Sequence, residues 1–473
     1  PGLPADVRAV LRGFASGLND FIRLHGSVLP PWVRPEFTPQ DVAAKDLRVW
    51  DQGAVRELRR QREASRRPDP SHPVPRISEL RDPRGGDSNP GRPWEDLNAD
   101  VGSNAWAFAP ERTRSGKAIL VRNPHLSFTS GYYEAHLTVP GVLNFYGDYR
   151  LGGPFGIIGG FNDRLGWSTT NNYGDPDQIY ALRVDPGNPQ AYLFDGASIP
   201  VQTKQVSVEY LDGDTLAQET RAFRFTPLGP VLMEAPDTLF VLKSAALRQH
   251  RISEQWLRMM RARNLEEWKE AMRIRAKYSS NFTYADADGN IFYVWNASVP
   301  ALPHPPSDNG PVFASGQEEV WTELHPWDEL PQLLNPRGGY VQNANDPPYY
   351  TNLNEILDPA SFPAYFPKPR LRLRSQHSLA LVHNDDILSL EDVVRLKHSM
   401  TVFMAQRVKD DLVQAVRAAG AEGDVLQAVQ LLAEWDNRAA RNSRGGTLFE
   451  LWASHYLSRA DPETVYREPW SAE

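Results

Sequence analysis

Residues 5 to 25 place Val7, Val10, Leu11, Phe14, Leu18, Phe21 and Ile22 at spacings of three and four, which predicts an amphipathic helix ending near Gly26. Thr38-Pro39-Gln40-Asp41 then reads as a helix start, with a capping hydroxyl, a proline at the first helical position and an acid in the first turn. That helix is expected to run toward Arg67. Arg56, Arg59, Arg60, Arg62, Arg66 and Arg67 crowd its tail against only Glu57 and Glu63. A solvated basic face accounts for them, and a patch for an anionic partner is the alternative. From 68 to 102, eleven of thirty-five residues are Pro or Gly and large apolar side chains are sparse, so the stretch cannot build a core and reads as a spacer.

Beyond Gly102 the pattern changes to short apolar or alternating runs: Lys117 to Arg122, Tyr132 to Val139, Phe155 to Phe161, Val206 to Leu211, Leu239 to Leu242 and Ile291 to Trp295. Gly, Pro and Asn-Asp turns separate them, which predicts strands. Helical periodicity returns at Ser253 to Lys277, where Asn264 caps a second helix beginning Leu265-Glu266-Glu267, and again over Ser389 to Ala419 and Asp424 to Arg459. Strands first and helices afterward predict an α+β fold rather than a βαβ array, in two or three subdomains, with no internal repeat.

Composition narrows the chemistry. At 41% hydrophobic and 23% charged, the 473 residues are globular, and a net charge of −8 argues against a general nucleic-acid binder. The charge is uneven: sixteen basic and fifteen acidic residues precede Ser103, whereas thirty-five and forty-four follow from there on. The absence of cysteine excludes disulfides, thiolate metal sites and cysteine nucleophiles. There is no apolar run of membrane-spanning length. G-x-S-x-G, Ser-x-x-Lys, His-Glu-x-x-His and P-loop signatures are all missing. The cluster Gly152, Gly153, Gly156, Gly159 and Gly160 reads as tight turns and close strand packing, and Asp286-Ala287-Asp288-Gly289-Asn290 as a hairpin turn rather than a calcium loop.

The informative spot is the junction Asp100-Val101-Gly102-Ser103-Asn104-Ala105-Trp106, where the spacer meets the first strand-like region. A serine activated by its own α-amine, freed by cutting before Ser103, needs no second side chain as base. An α-amine with its ordinary pKa of about 7.7–8.0 suits that work near neutral pH. Gly102 offers little steric hindrance, so the Ser103 hydroxyl can attack the Gly102 carbonyl and pass through an ester.

These residues carry a resemblance. Gly102-Ser103-Asn104-Ala105-Trp106, Asn123-Pro124-His125-Leu126, Tyr133-Glu134-Ala135-His136-Leu137, Gly160-Phe161-Asn162-Asp163 and Gly166-Trp167-Ser168-Thr169-Thr170-Asn171 occur in that order. They are followed by Glu254-Gln255-Trp256, Asn281-Phe282-Thr283-Tyr284-Ala285-Asp286 and Val341-Gln342-Asn343-Ala344-Asn345-Asp346-Pro347-Pro348. The series resembles the penicillin acylase family of N-terminal nucleophile hydrolases, and within it the acyl-homoserine lactone acylases. The resemblance implies an αββα sandwich with additional helical segments. Residues 1–67 would be the C-terminal part of an α chain, 68–102 a spacer peptide, and 103–473 the β chain, both ends of the sequence being truncated relative to the family.

The resemblance further implies an amide hydrolase that removes an acyl chain from a small N-acyl amide, such as an acyl-homoserine lactone or a β-lactam. Its α and β chains come from one precursor cut between Gly102 and Ser103. Ser103 is the nucleophile, His125 supports the amine, and the Asn171 backbone N–H with the Asn281 side chain forms the oxyanion hole. Leu126, Tyr146, Phe155, Ile157 and Trp167 are candidate acyl-pocket walls, each equally explained by core packing. No cofactor is needed for the chemistry. A structural calcium near Asp175 and Asp177 is an expectation from the family, against which stands Gln178 where an acid is usual. Export to the periplasm or medium is likewise expected. An uncleaved, inactive binding homologue is the competing reading, and the missing elbow motif disfavours an ordinary Ser-His-Asp hydrolase.

Overall fold

The computed structural model describes residues 2–30, 33–45, 47, 102–126, 131–172, 174–213, 215–247, 249–305 and 310–459. Helix α1 (Ala5–His25) buries Val7, Leu11, Ala15 and Ile22 along the predicted stripe, and α2 (Pro39–Ala44) starts with the predicted capping box between Thr38 and Asp41. The continuation toward Arg67, the arginine-rich tail and the spacer before Gly102 lie outside the described residues.

From Gly102 the chain is mostly strand: β1 (Gly102–Phe108), β2 (Ile119–His125), β3 (Tyr132–Val139), β4 (Leu143–Arg150), β5 (Gly156–Phe161) and β6 (Leu165–Thr170). There follow β7 (Asp177–Asp185), β8 (Asn188–Phe194), β9 (Ala197–Pro200), β10 (Gln202–Asp212), β11 (Thr215–Thr226), β12 (Gly229–Glu234) and β13 (Thr238–Ser244). Helices α3 (Ile252–Arg261) and α4 (Leu265–Met272) precede β14 (Ser279–Asp286), β15 (Ile291–Ala297), β16 (Val312–Phe313), β17 (Gln332–Leu334) and β18 (Tyr340–Asn343). Five helices end the described chain: α5 (Leu373–Val382), α6 (Leu390–Lys397), α7 (Phe403–Ala418), α8 (Gly423–Glu434) and α9 (Arg444–Leu457).

Strand alternation explains the layering. The sheet β18-β1-β2 directs Trp106 and Phe108 toward Leu379 and Val382 of α5 and Val393 of α6, so Ala105, Ala107 and Ser103 turn to the opposite face. That face meets the seven-stranded sheet β17-β15-β14-β6-β5-β4-β3. On the far side of the larger sheet, Phe282 and Tyr284 of β14 contact Trp268 of α4, with ring centroids 5.7 and 5.2 Å away. Trp167 pairs with Tyr284 in register and shares that helix-facing side. The result is helix, sheet, sheet, helix. A second sheet system, β10-β11-β12-β13-β7-β8-β9, keeps a separate core around Tyr180, Leu182, Tyr192, Leu239 and Val241.

Two long helical stretches resolve into pairs. Thr401 forms a β-bridge with Arg438, and the Val402 N–H donates to Asn437 O (2.8 Å), so these backbone groups serve a cross-link instead of a helix. Asn437 takes a left-handed φ of 61° there. The glycine cluster packs strands: a Cβ on Gly160 would lie 2.3 Å from the Tyr146 carbonyl oxygen. Asp286 closes the β14–β15 hairpin, its Oδ1 accepting the N–H groups of Asp288 (3.0 Å) and Asn290 (2.9 Å).

Candidate active site

Ser103 lies second on β1, the central strand of its sheet, with Pro124 of β2 opposite it and His125 opposite Gly102. It is 7% exposed, so its polar atoms need partners in the protein. Its N–H donates to Asn345 Oδ1 (2.7 Å), its hydroxyl donates to the Gly102 carbonyl (2.7 Å), and its own carbonyl accepts from Arg374 Nη1 (2.8 Å). The hydroxyl therefore rests against the peptide bond that precedes it. A Cβ on Gly102 would sit 2.7 Å from Arg374 Nη2 and 2.8 Å from Asn345 Oδ1, so a side chain at that bond would have to push both groups aside.

Asn345 follows β18 with φ of 69°, a left-handed conformation that asparagine tolerates and that turns its side chain back onto Ser103. Its Oδ1 also accepts from Arg374 Nη2 (2.7 Å), and its Nδ2 donates to the Asn171 carbonyl (2.9 Å). Asn281 joins the same network: Nδ2 donates to Thr170 Oγ1 (3.0 Å), Asn343 Oδ1 (3.0 Å) and the Asn171 carbonyl (3.3 Å). Its Oδ1 accepts from the Tyr293 hydroxyl (2.7 Å). Thr170 Oγ1 and the Asn345 N–H also donate to Asn343 Oδ1. One run of hydrogen bonds thus links Ser103, Asn345, Asn171 and Asn281 across the two sheets. His125 Nε2 lies 3.0 Å from Asn123 Nδ2.

The electrostatics are lopsided. Arg374 adds a bond to Asn104 Oδ1 (2.6 Å), and Arg372 donates to the Asn345 carbonyl (3.1 Å). The acid behind them, Asp346, is held above the usual carboxylate range by burial, opposed by the Ser375 hydroxyl, Arg372, the Ala344 N–H and Arg374. Toward the outer strands, Arg122 of β2 bridges the sheets to Asp148 and Glu134. The Glu134 carboxylate is held below its usual range by the Tyr146 hydroxyl, then by Arg122.

The proposed walls separate by face. Tyr146 is paired with Phe161 opposite, and Ile157 alternates onto the Gly159 side of β5, which is also the Ser168 side of β6; Asn281 and Thr170 share that side. Leu126 is exposed at the end of β2. Trp167 points away from Ser103 and stacks on Phe145 at 5.0 Å, and Phe155 is 2% exposed in the same core. Asp175 Oδ1 accepts the Asp177 N–H (3.0 Å), and no group of three or more His, Asp or Glu side chains suited to a metal occurs among the described residues. These two acids alone do not complete a calcium site among the described residues.

Thr170, Asn343, Asn345, Asp346 and Arg374 received no role from sequence. Asn343-Ala344-Asn345-Asp346 did stand out, as part of a run that carries the family resemblance. Arg374 gave no signal, because the alternation Arg370-Leu371-Arg372-Leu373-Arg374 reads as a solvated face.

The penicillin amidase family model matches residues 3–471. The chain belongs to the penicillin amidase family. It is similar to the acyl-homoserine lactone acylase PvdQ of Pseudomonas putida, 28% identical over 98% of this chain and 64% of that protein. Penicillin G acylase of Escherichia coli is 27% identical over 52% of this chain and 29% of its own length. Among solved structures, the thermostable penicillin G acylase from Alcaligenes faecalis superposes with a TM-score of 0.61 at 21% identity, covering 77% of this chain and 66% of that one, a likeness of fold. The chain spans 64% and 60% of the length of the PvdQ acylases of P. putida and P. fluorescens.

Proposed function

We propose that the whole protein is an amide hydrolase that uses Ser103, freed at the Gly102–Ser103 bond, to remove the acyl chain of a small N-acyl amide. The observation that carries this reading is the Ser103 cage: hydroxyl against the Gly102 carbonyl, N–H on Asn345, carbonyl on Arg374. In the first step Oγ attacks the Gly102 carbonyl carbon and the C–N bond breaks, the Ser103 nitrogen taking the Oγ proton and becoming a free amine; water then hydrolyses the ester to a Gly102 carboxylate and the Ser103 hydroxyl.

In turnover that amine takes the Oγ proton through a water while Oγ attacks the substrate carbonyl. The Asn281 amide and the Asn171 N–H are the proposed donors to the developing oxyanion, for which Asn281 gives up one of the acceptors it holds, the Asn171 carbonyl or Asn343 Oδ1. The proton passes to the departing amine, and water then hydrolyses the acyl-serine ester. His125, opposite Gly102 on β2, holds the amine's surroundings through Asn123. Tyr146, Ile157 and Leu126 are the walls that the geometry favours for the acyl chain.

The relatives' names support acyl-homoserine lactone or β-lactam amides as the first substrates to try. Export is proposed on the same likeness, and no helix among the described residues is long and apolar enough to cross a membrane. The test is the full-length gene product and its Ser103→Ala variant, followed by intact mass and by hydrolysis of amides of graded acyl length. Cutting before Ser103 and turnover, both lost in the variant, are expected. A folded wild-type chain that stays uncut and inert would instead favour a binding homologue.

A further inference from the structure

We propose that Lys277 and Arg150 form an anion subsite beside the Ser103 network, which recognises a carboxylate carried by the N-acyl amide. This rests on the amide-hydrolase reading above. Lys277 stands just before β14, and its main chain is fastened on both sides: its N–H donates to Gln255 Oε1 and its carbonyl accepts from Asn296 Nδ2, each at 2.8 Å. Its side chain has no such anchor. Nζ lies 5.8 Å from the centre of the Tyr278 ring, and no carboxylate or carbonyl among the described residues accepts from it. Burial, and then the charge of Arg150, presses the Lys277 ammonium down to about 8, yet part of the side chain stays open to solvent. Dense surroundings with an open face are the mark of a group lining a concavity.

Arg150 ends β4 opposite Tyr132, exposed and without an ion pair among the described residues. Alternation gives it the face of Tyr146 and Asp148, which Arg122 of β2 meets. The sheet order β14-β6-β5-β4 sets Lys277 and Arg150 on either side of the ends of β6 and β5. Between them lie Thr170, bonded to Asn281, and Ile157, a proposed acyl wall. The acids on this face are engaged: Asp148 and Glu134 pair with Arg122, and Glu134 also accepts from the Tyr146 hydroxyl. Lys45 brings another cation to the end of β4, its Nζ donating to the Leu151 carbonyl (3.2 Å). Like charges gathered without a counter-ion repel, and loss of water makes the arrangement costlier. A carboxylate relieves both effects, the lysine supplying a point charge and the arginine a planar fork.

That carboxylate can sit at the far end of the acyl chain or on the departing amine, so the experiment on the full-length processed protein has two arms. The acyl arm compares the mono-p-nitroanilide of adipic acid with its methyl ester. The amine arm compares N-hexanoylglycine with its methylamide. In one arm the charged compound should be preferred in kcat/KM by about tenfold or more, the worth of a charge-assisted hydrogen bond. Lys277→Met and Arg150→Gln should each remove most of that preference, and the arm that responds names the end of the substrate. Each ratio is taken within one protein, so a general loss of activity cancels, and Arg150→Gln carries the comparison if Lys277→Met does not fold. Parity in both wild-type arms, or a preference that survives both substitutions, overturns the inference while amide turnover stands. If no amide is turned over, the underlying reading fails and calorimetry with adipate decides the subsite. Binding that Lys277→Met or Arg150→Gln weakens sustains it; no binding, or binding that both variants keep, overturns it.

Discussion

Replacing Asn281 with alanine separates stability from turnover, because the structure says which bonds are lost and which survive. Asn281 is 1% exposed. Without its amide, Asn343 Oδ1 still accepts from Thr170 and Asn345, and Thr170 Oγ1 still donates to Asn343. The Tyr293 hydroxyl, however, loses the acceptor it holds at 2.7 Å in a buried place. The hydroxyl keeps Asn343 Nδ2 as a donor at 3.5 Å, so the loss of its acceptor should cost about 0.5–1.5 kcal/mol in urea unfolding. Removing one oxyanion donor costs a further ~10²–10³ in rate, about 2.7–4 kcal/mol on the transition state. Tyr293→Phe is the control: it leaves Asn281 Oδ1 unpartnered at a similar stability cost but keeps the Nδ2 donor. Its kcat/KM should fall by less than about tenfold, since the oriented donor remains. The assay is kcat/KM on the processed full-length protein beside equilibrium unfolding. If Asn281→Ala turns over like wild type, or Tyr293→Phe falls as far as Asn281→Ala, Asn281 is not an oxyanion donor.

Gly102→Ala should slow cutting markedly, since its Cβ meets Arg374 Nη2 at 2.7 Å and Asn345 Oδ1 at 2.8 Å; conversion of precursor to β chain on a gel over time measures this, and an unchanged rate contradicts the tight cage. Trp268→Ala, at the meeting of Phe282, Tyr284 and Phe292, should cost about 3–5 kcal/mol in urea unfolding, and a loss under about 1 kcal/mol would mean that helix α4 is not a structural layer. Lys277 is pushed down to about 8 by burial and by Arg150. Its folded value lies below its unfolded one, so the native state binds fewer protons above pH 8 and stability rises from there toward about 10.4. Lys277→Met should be more stable at neutral pH and lack that rise; parallel stability–pH curves for the two proteins would refute the assignment.

Helices and hairpins were largely legible because their signals are local. The stripe from Val7 to Ile22, the Thr38 cap, the Asn264 cap and the Asp286 turn each need only neighbours within a few residues. Ser103, His125, Asn171 and Asn281 were nominated by family motifs, and hydrogen bonds join three of them, Ser103, Asn171 and Asn281, through Asn345. Arg374 was not, because its meaning comes from α5 packing over β1, a contact spanning 271 residues that no periodicity encodes. Trp167 stood open between acyl wall and core for a related reason: sequence names a large aromatic beside the motif, but strand alternation decides which face it takes. The breaks between α6 and α7 and between α8 and α9 likewise come from the Thr401–Arg438 bridge, a tertiary link invisible in either helix's pattern.

The partners of Ser103 arrive late in synthesis: Asn345 lies 242 residues downstream and Arg374 271. A nascent chain holding only the first strands has the serine and the glycine but none of the groups that seat them. On the proposed mechanism, self-scission at this bond waits until strand β18 and helix α5 have docked. Severance of the backbone would then certify that these distant segments had reached the sandwich.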